Sequence, residues 1–138
     1  MTPRGIRNNN VGNIRHGDKW QSLSKEQTDK SFCQFDSMAY GCRALLKTLQ
    51  TYNTKHGIDT VEGICSRWAP TNENDTEAYI QFVAKHTGLE RNAKLDLASN
   101  PKLYLSIAKA IAIQENGKEA NNISNDVWDE AYKLAFNA

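Results

Sequence analysis

The chain has 138 residues, with 17 Lys+Arg against 16 Asp+Glu and a formal charge of +1. One domain is expected at this length, with room for an ordinary core that needs no metal or disulfide staple. So flat a charge balance disfavours a sequence-independent nucleic-acid binder and a polybasic membrane binder, and no apolar run approaches the roughly 18 residues of a membrane span.

Residues 1–36 stand apart from the rest. They carry Asn8, Asn9, Asn10 and Asn13 with Gly5, Gly12 and Gly17, and they lack helical periodicity. Strand-like alternation at residues 11–15 and 31–35, separated by a polar loop, predicts a small irregular β-containing lobe with one hairpin. From Asp36 the pattern turns helical. Asp36-Ser37 offers an N-cap, Met38, Cys42, Leu45, Leu46 and Leu49 recur at helical spacing, and Gly57 closes the segment. Thr60 caps a short helix through Val61, Ile64, Cys65 and Trp68, which Pro70 ends. The stretch NENDT (72–76) is a loop and cap, after which Ala78, Ile80, Phe82 and Val83 carry a helix to Gly88. Asn100-Pro101 predicts a helix over 101–116 stopped by Gly117. A last helix over 124–136 carries Val127, Trp128, Ala131, Leu134 and Ala135. The expected fold is mainly α (α+β): about five helices over 37–138 and a small lobe over 1–36, forming one domain.

Cys33, Cys42 and Cys65 make an odd set with no zinc-ligand spacing, so they read as small buried hydrophobes. The sharper reading is a thiol nucleophile. Cys42, near a helix start, is the candidate, with His16, His56 or His86 as its partner. His56 and His86 also suit helix C-termini for dipole reasons alone.

One carboxylate stands out. The stretch LYLSIAKAIAI (103–113) is apolar nearly all round, which marks a central helix. Its stripe of Tyr104, Ile107, Ala108 and Ile111 extends by one step of four to Glu115. Partial burial and the negative end of the helix dipole would both disfavour the anion there. A protonated carboxyl at a helix end facing a cleft is what a general acid for glycoside cleavage requires. The bland alternative is a solvated Glu at a frayed end.

RGIRNNNVGNIRHGDKW (4–20), followed by KSFCQFDSMAYGCRALLKTLQTY (30–52), resembles a module of phage and prophage cell-wall-degrading proteins, described as lysozyme-like or as virion structural proteins. It is also similar to the small-lobe segment of bacterial glucosaminidases and flagellar muramidases, reading roughly N-N-L-F-G-I-K, then W, then F-x-x-[FY]-D-S. Asn9-Asn10-Val11-Gly12-Asn13-Ile14-Arg15, Trp20 and Phe32…Phe35-Asp36-Ser37 carry the match, and RWAPTNENDTEAYIQFV (67–83) resembles the same phage group. In those enzymes the catalytic Glu precedes this segment, at a helix end in an E-S-G-like motif. Here Gln114-Glu115-Asn116-Gly117 looks like that motif, but it follows the segment. The resemblance therefore implies a circularly permuted lysozyme-like core with Glu115 as the acid.

What the resemblance implies is cleavage of the β-1,4 bond between N-acetylmuramic acid and N-acetylglucosamine in peptidoglycan, without metal or other cofactor. A hydrolase would need a second carboxylate, for which Glu26 and Asp29 are the candidates, Asp36 being better explained as part of a cap. Alternatively the sugar's own N-acetyl or 6-hydroxyl group attacks and one carboxyl suffices, as in a lytic transglycosylase or a single-carboxylate muramidase. Asn9, Asn10 and Asn13 suit sugar hydroxyls and acetamides, though Asn also suits tight turns for backbone reasons. Trp20 is the better stacking candidate, and Trp68 reads as core. Asn74 and Tyr79 lie close enough to a cleft to bind substrate. Arg7 and Arg15 read as surface charges or as contacts to peptide-stem carboxylates. The competing classes are a non-enzymatic virion structural or wall-binding module and a Cys42 amidase or peptidase.

MTPRGIRNNN lacks the apolar stretch of a secretory signal, so synthesis in the cytoplasm is expected. The expected partner is bacterial peptidoglycan, with neither nucleic acid nor membrane insertion. Action on the periplasmic wall then needs a pore protein, a virion or a secretion system for delivery, and an inhibitor protein where the chain is a secreted effector.

Overall fold

The computed structural model describes residues 2–72 and 74–137 and is mainly α. In chain order it contains α1 (Arg4–Arg7), α2 (Met38–His56), α3 (Val61–Trp68), α4 (Thr76–Thr87), α5 (Lys102–Asn116), a 3₁₀ segment (Gly117–Asn122) and α6 (Asn125–Phe136). No helix among the described residues is long and apolar enough to cross a membrane.

The caps explain the boundaries. Ser37, Thr60, Asp75 and Ser124 each accept a hydrogen bond from the backbone N–H three residues on, which satisfies one of the orphan donors of a first turn. Gly57 and Gly88 close α2 and α4 at φ 66° and 74°, a left-handed conformation that costs glycine nothing. At α5 the cap differs from expectation: Pro101 occupies the N-cap and no side chain caps the turn.

The main core is built on α2 and α5. Leu45, Leu46 and Leu49 of α2 meet Ile107 and Ile111 of α5, with Ile64 of α3, Val83 of α4 and Trp128 of α6 closing around them. Small residues at Ala108, Ala110 and Ala112 let neighbours approach α5 closely on several sides. α6 packs chiefly on α2, and Lys47 of α2 donates to the carbonyl of Ala135 (3.2 Å) in the last turn of α6, where a cation is favoured. Arg91 ties α3 to α4 through Glu62 and Glu77, at 2.6 Å to each.

The expected hairpin does not form. Among the described residues residues 8–36 hold no strand, only two isolated antiparallel bridges, Arg15–Phe32 and Leu23–Phe35. Side chains take the place of a ladder. The Gln27 amide donates to the Gln34 carbonyl and accepts from the Gln34 N–H, both at 2.8 Å, as a paired strand residue would. The Gln34 side-chain oxygen in turn accepts from the N–H groups of Thr28 and Asp29.

This irregular segment is fastened to the helices at two places. Val11 is fully buried in the main core, while Cys33 and Phe35 pack on Ala44 of α2. The approach is close enough that a Cβ on Gly41 would collide with the carbonyl oxygen of Asn9. α1, a single turn with no periodicity to announce it, is held from outside by Asp29, which takes both Nε and Nη2 of Arg4 (2.7 and 2.6 Å).

Candidate functional site

The end of α5 delivers Glu115 to a cleft of about 520 Å³ between the N-terminal segment and the α3–α4 connection. Its walls include Asn13, Arg15, Asp18, Trp20 and Phe32 on one side and Thr48, Tyr52, Arg67, Trp68, Pro70 and Asn74 on the other. Glu115 is half-buried. Asn13 Nδ2 donates to its Oε1 at 2.9 Å, and the Tyr79 hydroxyl donates to its Oε2 at 2.8 Å. Three elements distant in sequence therefore fix one carboxylate, and both fixing groups are uncharged.

Each partner is itself placed by the fold. Asn13 sits at φ 51°, a left-handed position that Asn tolerates better than most residues. Its Oδ1 is buried without a hydrogen-bond partner, so the amide is spent on Glu115. Tyr79 is 4% exposed on α4. Burial, and then the charge of Glu115, push its phenol well above the ordinary range, so it remains a donor. Next to Glu115 in sequence, Asn116 donates to the carbonyls of Val11 (2.8 Å) and Ala112 (2.9 Å), stitching the N-terminal segment to the last turn of α5.

The structure brings together Glu115, Asn13, Trp20, Asn74 and Tyr79 of the residues singled out from sequence, with Tyr79 holding the carboxylate from below. Asn9 and Asn10 are turned into the fold instead. Asn9, at φ 54°, donates to the Phe35 carbonyl (3.1 Å). Asn10 is 0% exposed, donates to the carbonyls of Ile14 and Cys33 and accepts from the Ile14 N–H. Their recurrence reflects backbone needs.

Neither expected second carboxylate reaches the cleft. Glu26 is exposed on the polar loop and lines no part of it. Asp29 faces another side of the segment. There it accepts from Arg4, Asn8 and the N–H groups of Ser31 and Phe32, and the guanidinium of Arg4 is the chief reason that its carboxyl is held far below the usual range. The carboxylate that does share the cleft with Glu115 is Asp18, exposed on a turn with no periodicity to mark it. Arg67 and Tyr52, also unmarked, face the cleft from the α3 and α2 walls.

The cysteine reading fails on geometry. Cys42 is 0% exposed with its thiol pushed up by burial, and Cys65 is pushed up to about 12 for the same reason. His56 and His86 lie in the last turns of α2 and α4, the latter stacked on Phe82. The one Cys–His approach among the described residues is Cys33 Sγ to His16 Nδ1 at 3.9 Å, and that thiol is 1% exposed and raised by burial and then by Asp18. No group of three or more His, Cys, Asp or Glu among the described residues is placed to hold a metal ion.

The fold and site define a small, mainly helical protein with one carboxylate fixed at a helix end beneath an aromatic- and arginine-lined cleft. No protein-family model matches the chain. It is 42% identical over 137 residues to Protein P5 of Pseudoalteromonas phage PM2, across 96% of this chain and 82% of that protein. The chain belongs to the family of that phage protein.

Proposed function

We propose that this protein cuts the glycan strand of bacterial peptidoglycan at the bond between N-acetylmuramic acid and N-acetylglucosamine, using a lysozyme-like arrangement with Glu115 as general acid and base. The observation that carries the reading is the fixed carboxylate: Glu115 at the end of a buried helix, addressed by Asn13 and Tyr79, on the wall of a cleft of about 520 Å³. The contact of the N-N-V-G-N-I-R segment with the end of α5, through Asn13–Glu115 and Asn116–Val11, supports the permuted arrangement that the resemblance implies.

In the first step the Glu115 proton passes to the glycosidic oxygen, and the C1–O bond breaks with its electron pair on that oxygen. Two completions are open to the resulting carboxylate. In the transglycosylase route the 6-hydroxyl of the muramyl residue attacks C1 and gives its proton to Glu115, leaving an anhydro end. In the hydrolase route water attacks and leaves a reducing end, and Asp18 is the carboxylate in the cleft that would take the water's proton. Trp20 and Trp68 both line the cleft, Trp68 while also packing on the main core, and either would stack on a sugar there. The phage origin of the relative supports delivery to the wall by a virion or through a separate pore protein.

A second reading has one observation in its favour. Both oxygens of Glu115 are engaged by protein donors, so the residue also works as a clamp joining the N-terminal segment, α4 and α5. A wall-binding or virion structural module of the same fold would keep that clamp without chemistry. Digestion of purified peptidoglycan separates the two readings: the enzyme releases soluble muropeptides and loses this on Glu115→Gln, whereas the module binds the wall and releases nothing.

A further inference from the structure

Two arginines in the cleft spend no charge on an ion pair among the described residues. Among the described residues, Arg4 is paired with Asp29, and Arg91 with Glu62 and Glu77. Arg15 and Arg67 make no ion pair there, yet both line the cleft that contains Glu115. Each guanidinium lies over an aromatic ring of that same cleft: Arg15 over Phe32 at 5.1 Å, a ring it shares with Arg4 at 4.4 Å, and Arg67 over Tyr52 at 5.2 Å. A guanidinium laid on a ring is held in orientation while its N–H edge stays available, and that edge matches a carboxylate in a two-pronged hydrogen bond. The two come from different elements, the turn after Asn13 and the last turn of α3, so they present cations from two walls of one groove.

We propose that Arg15 and Arg67 form a carboxylate-recognition subsite that reads the acidic peptide stem attached to the glycan strand. The inference rests on the peptidoglycan reading above and adds to it: the protein selects strands that still bear their stems. A bare β-1,4-linked N-acetylglucosamine polymer has no carboxyl group and leaves both guanidiniums unmatched. A stem peptide carries several carboxylates beside the sugar bound next to Glu115. The subsite also answers a difficulty set by composition. A chain of formal charge +1 has little long-range attraction for an acidic wall, so recognition must come from locally placed cations.

Binding by calorimetry at low salt, with the Glu115→Gln protein to prevent turnover, tests this with three probes. These are a disaccharide–tetrapeptide muropeptide, the same disaccharide with only its lactyl carboxyl, and chitobiose, which has none. Glu115→Gln with native arginines binds the muropeptide about tenfold or more tighter than the bare disaccharide. Adding Arg15→Gln and Arg67→Gln removes that gap and leaves chitobiose binding unchanged, and Lys at both positions restores part of it. Equal binding of muropeptide and disaccharide overturns the proposal, as does a gap that survives the double substitution or a failure to bind any probe. A gain already complete in the bare disaccharide assigns the contact to the lactyl carboxyl and overturns the stem. Failure of the glycan-cleavage reading shows elsewhere, as an absence of cut strands with the wild-type protein, so the two outcomes are distinguishable. Both arginines are exposed, and unchanged thermal melts confirm that the variants fold.

Discussion

Asn13 donates a 2.9 Å hydrogen bond to Glu115 across 102 residues of chain. The bond fastens the irregular N-terminal segment to the end of α5 and aims the carboxylate at the cleft. Its counterpart is the 2.8 Å bond from Tyr79 on the other oxygen.

If these bonds position Glu115 for chemistry, removing either one lowers glycan cleavage more than it lowers stability. Asn13→Gly keeps the left-handed backbone and deletes only the amide, and Tyr79→Phe deletes only the hydroxyl. Each is expected to reduce kcat about five- to tenfold, the equivalent of roughly 1 kcal/mol for one hydrogen bond, with KM little changed. A rise in KM alone would instead make both residues substrate contacts.

Asn10 behaves differently because its amide completes the fold. Asn10→Ala strands the N–H of Ile14 and the carbonyl of Cys33, while the Ile14 carbonyl keeps its 2.9 Å bond from the Cys33 N–H. We expect a loss of roughly 2–4 kcal/mol by urea denaturation. Whatever protein remains folded keeps its affinity for sugar, and a stable variant with weakened sugar binding would return Asn10 to the cleft.

Helices were legible in the sequence because their signals are local. Ser37, Thr60, Asp75 and Ser124 announce their own first turns, and Gly57 and Gly88 their own last ones. α1 escaped notice because a four-residue helix has no periodicity, and its support comes from Asp29, 25 residues away. SFCQF alternates like a strand, but its neighbour pairs through the Gln27 and Gln34 side chains, which no propensity encodes. In the site, Glu115 followed from the stripe on α5, while Asp29 and Glu26 were misplaced because nothing local says which side of an irregular segment faces a cleft. Asp18 and Arg67 became cleft residues only once the segment was seen against α3 and α5, and of the two arginines read as surface charges or stem contacts Arg15 lines the cleft.

Acid sensitivity follows from two carboxylates held low by arginine, Asp29 by Arg4 and Glu77, lowered to about 2, by Arg91. A depressed folded value means that the unfolded chain binds more protons, so stability rises with pH. Both contributions are complete above the ordinary carboxylate range near about pH 4. Glu77's is lost as the pH falls toward about 2, and Asp29's is lost at still lower pH. Thermal melts between acid and neutral pH are expected to show a shallower decline in Asp29→Asn/Glu77→Gln than in wild type. An identical decline would mean that neither pair contributes.

Cys42 serves packing alone. Cys42→Ser is expected to cost about 1–3 kcal/mol by replacing a thiol with a hydroxyl in an apolar core, with kcat unchanged below the melting transition. The native protein resists alkylation at all three cysteines, each of which is buried, and reacts at all three once denatured. Rapid labelling of Cys42 in the native state would contradict the structure.

The role proposed for Glu115 is to pass a proton to a glycosidic oxygen of peptidoglycan. Its most direct test is mass spectrometry of the products from purified peptidoglycan incubated with wild type, Glu115→Gln and Asp18→Asn. Wild type is predicted to release disaccharide muropeptides, and Glu115→Gln to release none while melting within a few degrees of wild type. Anhydro ends that persist in Asp18→Asn assign the transglycosylase route, whereas reducing ends lost in Asp18→Asn assign the hydrolase. Release by Glu115→Gln equal to that of wild type, or no release by wild type from any wall, would rule that role out.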